Sequence, residues 1–164
     1  MDEKVIKREP DKIILHTFEE LQEKFFVYIK NQTDRDAITL AYQFVKDKHE
    51  GQMRKSGEPY IHHLIEVAYI LAELQAGPAT IIAGFLHDVV EDTDVKIEEI
   101  EKNWGKDIAS IVDSVTKIQR LKLSRRGDDS SFVYEDHRKI FLGMAKDIRV
   151  IIIKLADRLH NMRT

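Results

Sequence analysis

Ala79-Thr-Ile-Ile-Ala-Gly-Phe-Leu-His-Asp-Val-Val-Glu-Asp92 decides how the rest of this chain is read. Ile81, Ile82, Ala83, Phe85, Leu86 and Val89 make a helix from Ala79 to about Val90 apolar nearly all round. Such a helix belongs in the middle of a bundle. Gly77-Pro78 end the helix before it and start this one, since glycine suits the position after a helix and proline its first turn. The far end of the run is chemically different. Glu91 is four residues from His87 and three from Asp88, and Asp92 is four from Asp88. Side chains at those spacings neighbour one another on a helix surface. Acids so close repel one another, and a helix C-terminus is the wrong end for negative charge. A bound divalent cation reverses that cost, because it becomes the largest local charge.

Working outward, every long segment has a helical period. Thr17-Phe-Glu-Glu20 has the form of a capping box and predicts a helix over about 18–30. Thr33 or Asp34 is expected to cap the next, whose Ala37, Leu40, Ala41, Phe44 and Val45 follow one face to near Gly51. Gly51 to Tyr60 reads as a loop, followed by a helix from Ile61 to about Gln75. Asp94 is the expected cap of a helix over 95–103 that Gly105 closes, and another covers about 106–118. Residues 122–131 have loop composition, and helices over about 132–145 and 147–163 complete the chain. Val150-Ile-Ile-Ile153 alone would suit a strand, but the apolar pattern runs on through Leu155, Ala156 and Leu159. The fold class expected is all-α, a helical bundle around a central metal site.

Composition narrows the function classes. The 164 residues suit one domain, and 43% apolar residues suffice for a core. The 34% of charged residues reads as solvated helix faces. A net charge of −3 gives no basic field to recruit nucleic acid. The absence of cysteine excludes disulfides and thiolate metal sites and is compatible with a cytoplasmic location. No run approaches the ~18 apolar residues of a membrane span, and the charged N-terminus lacks a signal peptide's apolar core.

Asp157 sits in a second apolar helix, Ile153-Lys-Leu-Ala-Asp-Arg-Leu-His160. A buried carboxylate there needs a cation, from Arg158 or from a metal. With His63, His87 and Asp88 it would form a mixed nitrogen and oxygen site, suited to Mn²⁺, Fe²⁺ or Zn²⁺. A lone histidine is more often a surface or hydrogen-bonded residue than a ligand. His16, His49, His62, His137 and His160 are read in that way.

Three segments together carry a more specific signal: Gly51-Gln-Met-Arg-Lys-Ser-Gly-Glu-Pro-Tyr-Ile-His-His63, Ala83-Gly-Phe-Leu-His-Asp-Val-Val-Glu-Asp-Thr93 and Lys154-Leu-Ala-Asp-Arg-Leu-His-Asn-Met-Arg-Thr164. This set resembles the HD-type hydrolase domain of the long RelA/SpoT proteins, bifunctional synthetase/hydrolases of guanosine tetra- and pentaphosphate, (p)ppGpp. The resemblance covers roughly residues 34–164, leaving 1–33 as a tail and first helix. It implies removal of the 3′-pyrophosphate from (p)ppGpp with Mn²⁺. By motif match it makes His63, His87, Asp88 and Asp157 the metal ligands and Glu91 and Asp92 the catalytic acid pair. Arg54, Lys55 and Ser56 match the loop that contacts the nucleotide, and Asn161 and Thr164 match residues near base and ribose. Relatives that have lost hydrolysis are altered in the His-Asp-x-x-Glu-Asp segment, which is whole here. The family domain continues with further helices, and with synthetase and regulatory domains. An excised fragment of a longer parent protein is therefore expected.

Two other readings compete: an HD phosphohydrolase acting on another nucleotide, and a catalytically silent nucleotide-sensing or regulatory module. The Arg54-Lys55-Ser56 loop and the Glu91-Asp92 pair argue against the first, since generic HD phosphohydrolases need have neither.

Overall fold

Thr17 opens the first helix as its spacing to Glu20 demands. Its hydroxyl accepts from the Glu20 N–H at 3.2 Å, and the Glu20 carboxylate accepts from the Thr17 N–H at 3.3 Å. This computed structural model describes residues 15–124 and 147–163. The helix, α1 (Phe18–Phe26), ends earlier than the expected position 30. The carbonyls at and beyond its end are taken up by Arg35, whose guanidinium donates to those of Ile29 at 2.7 Å and Phe26 at 3.1 Å. The next helix, α2 (Gln32–Lys48), is capped by Asn31 rather than by Thr33 or Asp34. Asn31 has the extended backbone of a cap, and its side chain accepts from the Asp34 N–H at 3.2 Å. Asp34 lies inside the first turn, where negative charge favours the helix dipole.

The central layer is α3 (Tyr60–Glu73) with α4 (Pro78–Leu86). Leu64, Val67, Ala68 and Leu71 of α3 and Ile81, Ala83, Phe85 and Leu86 of α4 are fully buried. At Gly84 the two helices approach so closely that a Cβ would lie 2.6 Å from Leu71 Cδ1. On this layer α1 packs against α3 and α2 against α4. The expected helix through Val90 is broken. It stops at Leu86, and after His87 and Asp88 a short helix α5 (Val89–Asp92) begins. His87 Nδ1 lies 2.5 Å from the Gly84 carbonyl, the acceptor an unbroken helix would offer to the Asp88 N–H.

Asp94 does not cap the next helix, α6 (Ile97–Trp104), which follows Lys96. Thr93-Asp94 belongs instead to the exit from α5. The Thr93 hydroxyl donates to the Val89 carbonyl at 2.5 Å and accepts from the Val95 N–H at 3.3 Å, and Val95 is buried. Gly105 closes α6 at φ 96°, a region that favours glycine. The following α7 (Lys106–Ser124) runs past the expected end at 118 and takes in the first residues of the expected loop 122–131. The rest of that loop, the helix expected over 132–145 and His137 lie outside the described residues.

The last helix, α8 (Ile148–Arg163), confirms that Val150–Ile153 is not a strand. It packs on α3, α4 and α7 through Val150, Ile153, Ala156, Asp157 and His160. Leu155 and Leu159, which extend the apolar pattern, face outward at 62% and 38% exposure. Among the described residues there is no strand beyond an isolated Met53–Pro59 bridge, and no helix is long and apolar enough to cross a membrane.

The contact between α3 and α4 leaves no room for growth. Gly84→Val places a branched side chain against buried Leu71 and should cost about 1–3 kcal/mol by overpacking. Urea unfolding should show a lowered midpoint with an unchanged slope.

Candidate metal centre and nucleotide cleft

Three elements deliver the chemical side chains to one point. His63 comes from the first turn of α3, His87 and Asp88 from the break between α4 and α5, and Asp157 from the buried face of α8. All four are buried, and each offers a ligand atom within 4.8 Å of the others. His63 Nε2 lies 2.8 Å from Asp157 Oδ1, while His87 Nε2 lies 2.9 Å from Asp88 Oδ2 and 3.4 Å from Asp157 Oδ1. The residues brought together are the four that stand out in the sequence.

The donor set fits a divalent metal on its own chemistry. His87 Nδ1 faces the Gly84 carbonyl, which can only accept, so Nδ1 carries hydrogen. In the neutral ring Nε2 then presents a lone pair to two carboxylates. It is a buried atom without an aligned hydrogen-bond partner despite their closeness. Lone pairs and carboxylates converging on one point need a cation between them. Two imidazoles and two carboxylates suit a transition metal that keeps further positions open. Burial disfavours charge on Asp88, but the neighbouring His87 and the hydrogen bonds from Tyr60 and Gln119 outweigh it and hold the carboxyl well below the usual range. Asp157 is also buried, and its contacts with the His63 and His87 imidazoles hold it below the usual range as well. Both are therefore carboxylates near neutral pH.

Further residues that carry no sequence signal of their own orient these ligands. The Tyr60 hydroxyl donates to Asp88 Oδ2, and Gln119 Nε2 donates to Asp88 Oδ1 at 2.7 Å. Burial and the neighbouring Asp88 push the Tyr60 phenol far above its ordinary value, so it stays a donor. Of the two sources of cation expected for Asp157, Arg158 or a metal, Arg158 does not reach it. Arg158 is exposed, and Lys154, one turn earlier, reaches Asp157 Oδ2 at 3.4 Å. His160, expected at the surface or in a hydrogen bond, is buried, with Nδ1 2.7 Å from His63 Nδ1 and 3.3 Å from Arg54 Nη1. Position alone could have marked it: three residues beyond Asp157, it falls on the same face of α8.

A cleft of about 460 Å³ opens over the centre, with Glu91, Asp92, Arg54 and Asn161 on its walls. Glu91 accepts from Arg120 Nε at 2.9 Å. Asp92 is held by Gln52, while burial and the nearby Asp88 raise its carboxyl above the ordinary value. The loop 51–60 is folded on itself. Arg54 N–H donates to Glu58 O at 2.8 Å, Gly57 N–H to Arg54 O at 2.9 Å, and Gly57 turns the chain at φ 88°. This aims Arg54 across the cleft, where Nη2 donates to Asn161 Oδ1 at 2.7 Å. Lys55 and Ser56 do not line this cleft. They lie with Arg54 on an adjoining one of about 420 Å³. Thr164 lies outside the described residues.

One such cluster among the described residues leads to an expected stoichiometry of about one divalent ion per chain. Elemental analysis after metal loading and desalting should find about one equivalent in the wild type. Asp157→Ala, which removes the carboxylate shared by both imidazoles, should retain well under half.

Comparison with known proteins identifies the family. The HD domain family matches residues 41–164. The guanosine-3′,5′-bis(diphosphate) 3′-pyrophosphohydrolase of Spiroplasma citri is 44% identical over 147 residues, 90% of this chain and 19% of that protein. The bifunctional (p)ppGpp synthase/hydrolase SpoT of Escherichia coli is 43% identical over 151 residues, 92% of this chain and 21% of that protein. The chain thus spans about a fifth of the length of these curated relatives. A solved structure described as a metazoan ortholog of SpoT that hydrolyzes ppGpp superposes with a TM-score of 0.57 at 28% identity, covering 77% of this chain and 68% of that one. The match over residues 41–164 shows that the chain belongs to the HD domain family, and the relatives it resembles within that family are RelA/SpoT-type enzymes.

Proposed function

We propose that this chain removes the 3′-pyrophosphate of (p)ppGpp, consuming one water and leaving GDP or GTP and pyrophosphate, with Mn²⁺ as the ion at the centre. The observation that carries this reading is one cleft that brings three things together: the buried cluster of four candidate ligands, of which His63, Asp88 and Asp157 line it, an acid pair, and an arginine held on its wall by Asn161. The names of the matched relatives, and the ppGpp hydrolysis ascribed to the metazoan SpoT ortholog, support the same substrate. We assign residues 34–164 to the hydrolase domain of a longer cytoplasmic parent that also carries synthetase and regulatory domains.

In this reading His63, His87, Asp88 and Asp157 hold Mn²⁺, which when bound polarises a phosphoryl oxygen and acidifies water. The protein's own groups do the rest. Asp92, with its carboxyl raised towards neutrality by burial and Asp88, takes a proton from the attacking water. Glu91 stands beside it, its charge balanced by Arg120. Arg54 offers a planar guanidinium for the guanine face, and Lys55 meets phosphate as a point charge from the neighbouring cleft. Ser56 adds a hydroxyl donor there, Asn161 from the end of α8 contacts the base or ribose, and Thr164 is assigned to the same role by its motif.

Two measurements test these roles. Glu91→Gln and Asp92→Asn should keep metal content and lose about 10²–10⁴-fold in turnover of (p)ppGpp, the usual contribution of a positioned general base. They are to be introduced into the parent protein, with pyrophosphate release as the readout. Near-normal turnover in both would remove the acid pair from the mechanism. Arg54→Ala should weaken binding of a non-hydrolysable (p)ppGpp analogue by about 1–2 kcal/mol, the scale of a partly desolvated cation–π contact, with metal content unchanged. Calorimetric titration reads this directly, and equal affinity would reduce the loop to a solvated connector.

A further inference from the structure

We propose that His160 is a positioning residue for the metal centre: it accepts a hydrogen bond from His63 Nδ1–H and so fixes the ligand tautomer whose Nε2 lone pair faces the ion. The inference rests on the reading that His63 is a metal ligand, and it concerns a residue outside the ligand set.

The argument is one of hydrogen accounting. His63 Nδ1 and His160 Nδ1 lie 2.7 Å apart in the interior, so one carries hydrogen and the other a lone pair. A third group decides which. Arg54 Nη1 lies 3.3 Å from the same His160 Nδ1, and a guanidinium nitrogen can only donate. His160 Nδ1 is therefore the acceptor for both neighbours, and His63 Nδ1 carries the hydrogen. His63 Nε2 is then left with a lone pair 2.8 Å from Asp157 Oδ1, which also can only accept, an arrangement that the ion of the proposed centre makes favourable. The opposite tautomer would turn a lone pair of His63 towards that of His160 and an N–H towards the ion. Buried metal-ligating histidines generally donate through their second nitrogen to an oxygen. Here a second imidazole takes that place, kept an acceptor by the arginine of the cleft wall. His160 is only 4% exposed, so water is poorly placed to substitute.

The test compares His160→Leu, which removes the acceptor and keeps apolar bulk, with His160→Asn, whose Oδ1 stands near the position of Nδ1. Affinity for Mn²⁺ is measured by chelator competition, with urea unfolding of the metal-free proteins alongside. Loss of an outer hydrogen-bond partner of a ligand typically weakens metal binding 10–100-fold. His160→Leu should lose that much, and His160→Asn should return to within a few-fold of wild type. Wild-type affinity in His160→Leu, or an equal loss in both variants, overturns the proposal. Should either variant fail to fold, long-range ¹⁵N–¹H correlation on Zn²⁺-loaded wild type decides without mutation. Hydrogen on His63 Nδ1 supports the assignment, and hydrogen on Nε2 overturns it. Asp157→Ala separates the two levels of inference. Metal lost in Asp157→Ala but kept in His160→Leu refutes only the role of His160, whereas no uptake by wild type refutes the metal centre and this inference with it.

Discussion

Two carboxylates and two imidazoles are buried with their ligand atoms within 4.8 Å of one another, and the interior of this protein is arranged around that crowding. An isolated buried carboxylate costs several kcal/mol, and two facing each other cost more unless a cation lies between them. The cluster draws on every element that meets at the centre. Tyr60 and His63 come from α3, His87 and Asp88 from the α4–α5 break, Gln119 from α7, and Asp157 and His160 from α8. Each carboxylate oxygen has a named neighbour: Tyr60 and Gln119 donate to Asp88, while Lys154 donates to Asp157 and His63 Nε2 stands against its other oxygen. Partners of this kind orient ligands as much as they stabilise them.

The apolar core holds these elements in register. α3 and α4 touch at a glycine, so their separation is set by Leu71 against bare backbone. The C-terminal end of α4 is thereby placed beside the N-terminal turn of α3, which is where His87 and His63 sit. The loop 51–60 runs directly into that same turn, and its tight internal bonding converts chain proximity into a defined position for Arg54. Metal centre and cleft wall therefore share a scaffold, and the His160 side chain touches both.

Much of this is legible in the sequence, for local reasons. The Thr17–Glu20 box, the Gly77-Pro78 junction and the glycine at 105 are decided by residues within one turn of themselves, and all three stand. The four ligands are legible because polar residues in apolar helices demand an explanation. Misjudged features depend on distant partners. Thr33 and Asp34 have cap chemistry on paper, but the extended backbone falls at Asn31, whose side chain accepts from the Asp34 N–H, so the helix starts ahead of both. The outward turn of Leu155 and Leu159 follows from Asp157 and His160 claiming the inner face of α8. His160, Tyr60 and Gln119 carry no motif that marks them as ligand supports, since their roles are set by what α3, α7 and α8 bring near.

The break after Leu86 shows how local structure produces the site. In an unbroken helix, successive residues point about 100° apart, so His87 and Asp88 could not both face one ion. The helix-period argument that gathers His87, Asp88, Glu91 and Asp92 is correct about proximity and wrong about the backbone that achieves it. At Asp88 the backbone departs from ideal helical values, to φ −105° and ψ −7°, while staying in the right-handed region. His87 Nε2 lies 2.9 Å from Asp88 Oδ2 across this junction, and α5 starts at Val89. Asp92 N–H then closes the new turn on the Asp88 carbonyl at 2.9 Å. The imidazole that takes the Gly84 carbonyl sits where the apolar helix ends, so the orientation of this candidate ligand and the helix terminus share one contact.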